Sequence, residues 1–211
     1  MHKNIEQIKK LEGSPRIIKN LFNKSEIDKF SNLYQNLPTT VHNKKQNVIK
    51  KRWLKNYNEE LENLFNKKVK NEIGDFKMDN LKDENNEEIL GLFQESYNPI
   101  GLHVDAGFNL DEIIFKQTLI PLTSKGSTVI FKNKFYGNST NFTIDENELK
   151  IKDLKYGQNY RSSEHLKLFE KKPFNKESHE KYLKHEKIEN LSGLEIDTVY
   201  EWELGSMLIF D

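Results

Sequence analysis

The residues best suited to chemistry in this chain stand two apart: His103 and Asp105, within Tyr97-Asn98-Pro99-Ile100-Gly101-Leu102-His103-Val104-Asp105-Ala106-Gly107-Phe108. On an extended strand, positions i and i+2 project from the same face. An imidazole and a carboxylate on one face can reach a single metal ion, and this donor pair suits a borderline divalent ion such as Fe(II). Two histidines and one carboxylate on a triangular face leave three coordination positions open. The plainer reading of the tripeptide is a strand-end histidine followed by a turn aspartate.

The elements that would position such a pair change character along the chain. A helix is expected from near Ser25, with Ser25 and Asp28 as a capping box. Ile27, Phe30, Tyr34 and Leu37 fall on one face of it, and Pro38 ends it. A second helix is expected from about Asn58 to Lys70, with Leu61, Leu64, Phe65 and Val69 as its apolar stripe. Residues 1–73 therefore read as a helical N-terminal part that covers one sheet. Lys50-Lys51-Arg52 and Lys67-Lys68 read as solvated helical faces.

From Gly74 onward the pattern is one of short strands. Phe76 and Met78 alternate with polar residues, and Asp83-Glu84-Asn85-Asn86 is a turn. Strands are expected at Ile89–Tyr97, Leu102–Ala106, Phe115–Leu122, Thr128–Phe131 and Leu204–Phe210. Short strands separated by Gly, Pro and Asn argue for an antiparallel sandwich or barrel. Residues 138–190 are polar, with a short helix expected between Asn175 and Lys187. They read as an insertion, either a lid or a disordered excursion.

Composition narrows the partners. The 211 residues suit one domain, and Lys plus Arg equals Asp plus Glu at 33 each, so nothing points to nucleic acid or to an anionic membrane. No apolar run is long enough to span a membrane, and the first residues lack a signal-peptide core. The absence of cysteine excludes disulfides, thiolate metal sites and cysteine nucleophiles, and fits a reducing, cytoplasmic setting. Oligomeric state is not read from the sequence.

Downstream of the His-Asp pair come Phe115-Lys116-Gln117-Thr118-Leu119-Ile120-Pro121-Leu122 and then Gly126-Ser127-Thr128-Val129-Ile130-Phe131. Leu191-Ser192-Gly193-Leu194-Glu195 and Trp202–Asp211 follow much later. This order resembles the Fe(II)/2-oxoglutarate-dependent oxygenase superfamily, in particular its phytanoyl- and prolyl-hydroxylase-like branches, over roughly residues 74–211. In that family an H-x-D strand is followed by an apolar strand, a G-x-T-x-x-F-like strand and a Gly-initiated strand, here Gly205–Asp211, that leads to a second histidine.

The resemblance implies a mostly β, α+β domain with N-terminal helices, built on a double-stranded β-helix or jelly roll. It implies His103 and Asp105 as metal ligands, Fe(II) as cofactor and 2-oxoglutarate as co-substrate. The reaction would hydroxylate a C–H bond of an unidentified small-molecule or peptide substrate, with 2-oxoglutarate decarboxylated to succinate. Tyr97, Lys116 and Thr128 match positions that contact the co-substrate in parts of the family. Their plainer readings are a strand aromatic, a solvent-facing lysine and a residue chosen for β propensity. Trp202 reads as core.

Two parts of the family pattern fall past Asp211: the distal histidine and the basic residue for the far carboxylate of 2-oxoglutarate. The chain is therefore expected to be a fragment lacking C-terminal strands, binding Fe(II) weakly by itself. His165, His179 and His185 are the in-chain candidates for a third ligand, and each reads more simply as a solvated surface residue. Two rival readings are a non-catalytic jelly-roll binding module that has lost its complete metal site, and a cupin-type metal isomerase.

Overall fold

The computed structural model describes residues 6, 9–10, 12–43, 48–76, 82–104, 116–136, 142–144, 146–152, 160–169 and 171–211. Helix α1 spans Lys24–Asn36. Its capping box is formed by Asn23 and Glu26: the Asn23 side chain accepts from the Glu26 amide at 3.0 Å, and the Glu26 carboxylate accepts from the Asn23 amide at 2.8 Å. The box thus lies two residues upstream of the expected Ser25–Asp28 pair, because a Glu at the third position reaches back to the cap amide. The helix ends at Leu37, before Pro38.

Helix α2 spans Glu59–Ile73. Asn58 caps it, three glutamates in the first turn suit the positive end of its dipole, and Gly74 closes it at φ +79°. Of the expected stripes, Ile27, Phe30 and Leu37 at α1 and Leu61 and Val69 of α2 are buried and Tyr34, Leu64 and Phe65 partly so, while Leu33, outside the expected stripe, is buried as well. Between the helices lies an aromatic cluster in which Phe30 meets Phe22 edge-on at 5.1 Å and Trp53 at 5.9 Å.

The helices pack on antiparallel strands. β1 (Arg16–Ile18), β2 (Val41–Asn43) and β3 (Val48–Leu54) come from the N-terminal part, so residues before Gly74 supply strands as well as helices. β2, β3 and β4 (Ile89–Ser96) form one sheet in that order. Lys50-Lys51-Arg52 therefore lies on β3 and not on a helical face. Val48 and Trp53 of the same strand are buried, while the Lys51 ammonium sits 4.5 Å over the Tyr34 ring and donates to the Tyr34 carbonyl at 2.8 Å. A lysine whose stem lies along an aromatic face is compatible with a half-buried strand.

β5 (Gln117–Leu119), β6 (Ser127–Phe131), β7 (Ile196–Glu201) and β8 (Met207–Phe210) follow. β8 is central in a sheet of order β1-β8-β5, and its Met207, Leu208 and Ile209 are buried. β6 pairs with β7 in a separate two-stranded sheet. The pairing is nested, with β5 joined to β8 outside β6 joined to β7. The chain turns from β7 into β8 at Gly205, φ +78°, whose carbonyl accepts from the Phe22 amide at 2.9 Å.

The fold is thus mixed α/β with antiparallel sheets. The strand expected at Leu102–Ala106 carries no ladder pairing over its described residues, 102–104. Met78, Ala106 and Phe115 lie outside the described residues. The polar region at 138–190 contains α3 (Glu146–Ile151), α4 (Ser163–Lys167), α5 (Lys176–Tyr182) and a 3-10 turn, Ile188–Leu191. Phe174, Leu183, Leu191 and Leu194 form a second apolar cluster beneath it, so this region builds a core of its own.

Candidate functional site

β4 delivers the chain to the His103 segment. Leu102, just before the histidine, packs on the second apolar cluster, as do Val129 and Phe131 of β6 and Ile196 of β7. The Leu102 amide donates to Glu186 Oε1 at 2.5 Å. His103 is solvent-exposed, with Nδ1 2.7 Å from the carbonyl oxygen of Gly101. A carbonyl only accepts, so Nδ1 holds a proton and donates it to Gly101. Metal-bound histidines donate in the same way through the ring nitrogen opposite the metal. Asp105 lies outside the described residues. Among the described residues no group of three or more His, Asp or Glu side chains is placed to hold a metal ion.

The three residues expected near a 2-oxo acid each have a partner within the chain. Tyr97 is exposed and donates to Glu95 Oε1 at 2.6 Å. Glu95 also accepts from the Tyr34 hydroxyl, and the Tyr34 and Tyr97 bonds hold its carboxyl below the usual range. Lys116 pairs with Asp211 at 2.5 Å, at the outer edge of β5. Asp211 also accepts from the Gly13 amide at 2.7 Å, and Lys134 stands 3.9 Å away. Thr128 Oγ1 accepts from the Trp202 indole at 2.9 Å. Leu102 and Val129, the chain neighbours of His103 and Thr128, pack on the same cluster, while Thr128 itself faces the other side of β6; Lys116 stands beside β8 in the other sheet.

The histidines of the insertion are not the solvated residues expected. His165 is buried, packed against Phe135, Phe142 and Phe169 with ring centroids 4.6 to 5.2 Å apart. Its Nδ1 accepts from Arg161 Nε at 2.8 Å. Burial, and then the Arg161 charge, push the His165 pKa down to about 4, so the ring is neutral at ordinary pH. His179 is mostly buried and Nε2 donates to the Glu186 carbonyl at 2.8 Å. His185 is partly exposed, His42 lies on β2, and His2 is outside the described residues.

A buried polar network went unanticipated. Arg161 Nη1 donates to the carbonyls of Asn190 at 3.2 Å and Ser192 at 2.6 Å, while Nη2 is buried without a hydrogen bond. Burial lowers the Arg161 pKa to about 10. Asn190 accepts from the Arg161 amide at 3.1 Å and donates to Glu186 Oε2 at 3.2 Å. No local signal marks these residues, since each sits singly in a polar stretch.

Comparison with protein-family models, with curated proteins and with solved structures finds no match. Among the described residues no helix is long and apolar enough to cross a membrane.

Proposed function

We propose that this chain is the jelly-roll part of an Fe(II)- and 2-oxoglutarate-dependent dioxygenase that hydroxylates a small-molecule or peptide substrate. The observation that carries the reading is the nested pairing of β5 with β8 around β6 with β7, directly downstream of the His103-x-Asp105 tripeptide. A ribbon of paired strands wrapped so that its inner and outer pairs fall in different sheets is how a jelly roll is built.

Fe(II) with 2-oxoglutarate and dioxygen supplies the oxidation of a C–H bond, with 2-oxoglutarate leaving as succinate and carbon dioxide. His103 and Asp105 would serve as two of the ligands, an imidazole and a carboxylate two residues apart. The Gly101 carbonyl holds the His103 proton at Nδ1, and the second apolar cluster excludes water behind Leu102. A cysteine-free chain is compatible with a cytoplasmic setting.

One set of contacts favours the rival, a non-catalytic jelly-roll binding module: Tyr97, Lys116 and Thr128 are each engaged by Glu95, Asp211 and Trp202. Mn(II) titration under anaerobic conditions, followed by NMR, separates the two. Selective broadening of His103 and Asp105 signals at substoichiometric Mn(II), abolished by His103→Ala and by Asp105→Ala, supports the oxygenase even where binding is weak. Broadening spread over surface carboxylates and indifferent to both substitutions rejects it in favour of the binding module.

A further inference from the structure

We propose that Glu186 is a positioning residue whose buried carboxylate fixes the His103 segment by gripping the Leu102 amide; its bearing on metal binding rests on the oxygenase reading above. Glu186 is 5% exposed, and among the described residues no ion pair reaches it. An ionised carboxylate taken out of water without a cation is costly unless hydrogen bonds satisfy it. Here Oε1 takes the Leu102 N–H at 2.5 Å and Oε2 takes the Asn190 side-chain amide at 3.2 Å. Bonds to a charged acceptor are the short, strong ones. The Leu102 bond joins residues 84 apart in sequence and ends one residue before the histidine.

The carboxylate itself has little freedom to drift. The Glu186 amide donates to the Leu183 carbonyl at 2.9 Å, and its own carbonyl accepts from His179 Nε2 at 2.8 Å. Asn190, the second partner, is tied to Arg161 through the Arg161 amide and through Nη1. The insertion therefore presents one fixed carboxyl acceptor to the segment that carries His103. The Leu102 side chain, partly buried on the second cluster, also limits how far the segment lifts away. The Glu186 bond sets where along the cluster it sits. A ligand displaced by such a loss of outer support loses metal affinity about 10- to 100-fold.

The test combines a metal-free readout with a metal one. Leu102 amide exchange and the Mn(II) broadening of His103 are compared in the parent, Glu186→Ala, Glu186→Asp, Glu186→Gln and Asn190→Ala. Glu186→Ala and the shorter Glu186→Asp are expected to speed Leu102 exchange and weaken Mn(II) at His103 at least tenfold. Glu186→Gln, which keeps an oxygen for the Leu102 amide, is expected to restore most of both. Asn190→Ala, which leaves the Leu102 bond in place, is expected to change Mn(II) affinity less than either. Should Glu186→Ala fail to fold, Glu186→Asp carries the comparison.

Parental Mn(II) affinity in a folded Glu186→Asp or Glu186→Ala variant overturns the positioning role while leaving the oxygenase reading standing, provided His103→Ala still abolishes binding. Mn(II) that never approaches His103 in the parent overturns both, and the exchange data then report an ordinary structural bond.

Discussion

Lowering the pH should unfold this protein through His165. The ring is buried among Phe135, Phe142 and Phe169, and its Nδ1 accepts from Arg161 Nε at 2.8 Å, so a proton there would meet both an apolar cage and a cation. The folded pKa is about 4 against an ordinary value of 6.5. Between these two values the unfolded chain binds the proton and the folded chain does not. The contribution is fully present above pH 6.5 and is lost as pH falls toward 4. Linkage over that interval makes the loss about 2 kcal/mol by pH 5 and about 3 kcal/mol by pH 4, relative to neutral pH.

The assay is urea denaturation from pH 7.5 down to about 4.5, comparing the parent with His165→Gln, whose side-chain oxygen still accepts from Arg161 but cannot be protonated in this range. Carboxylates with lowered pKa values, such as Glu26 and Glu95, contribute equally to both proteins and cancel in the difference. The parent is expected to lose stability relative to His165→Gln as pH falls. Parallel pH profiles for the two proteins, or a His165 ring titrating near 6.5 in the folded state, refute the reasoning.

Three further outcomes follow from the packing. Gly205→Ala places a methyl 2.1 Å from the Phe22 carbonyl oxygen at φ +78°, and should cost on the order of 3 kcal/mol or more, read as a melting temperature lower by roughly 6–12 °C. Leu191→Ala empties a fully buried position in the second cluster, and should cost about 2–5 kcal/mol by urea denaturation. Thr128→Val leaves the Trp202 indole N–H without its acceptor at similar side-chain volume, and should cost about 1 kcal/mol, with Thr128→Ser recovering most of it.

What could be read from the sequence was set by local chemistry. Helix α2 starts where Asn58 marks it, because a cap acts within one turn, but runs three residues past the expected Lys70 to Ile73, where Gly74 closes it. β6 and β8 follow the apolar runs Val129-Ile130-Phe131 and Met207-Leu208-Ile209-Phe210. β3 was hidden because three of its seven residues are basic, and only the stacking of Lys51 on Tyr34 shows how they are accommodated. Arg161, His165 and Glu186 were hidden for another reason. Arg161 and Glu186 are held by hydrogen bonds that reach 29 residues to Asn190 and 84 residues to Leu102, and His165 by an aromatic cage drawn from Phe135 to Phe169; periodicity records nothing at that range. At the candidate site, the spacing of His103 to Asp105 was legible in the sequence. The Gly101 carbonyl that accepts from the His103 ring was not, since that depends on the turn conformation.

The hairpin of β6 and β7 has a kinetic cost built into it. Its mouth is closed by Asn133, whose side chain accepts from the Glu195 amide and donates to the Gly193 carbonyl, so the ends to be joined are about sixty residues apart. Drawing together so long a loop loses chain entropy before any ladder bond repays it. Prior collapse of Phe174, Leu183, Leu191 and Leu194 shortens the effective span, because Leu194 stands only two residues before β7 and Val129 and Phe131 dock on the same cluster. Truncating that cluster, as in Leu191→Ala, should therefore slow refolding as well as speed unfolding in stopped-flow measurements, whereas an unchanged refolding rate places the cluster's formation after the β6–β7 closure.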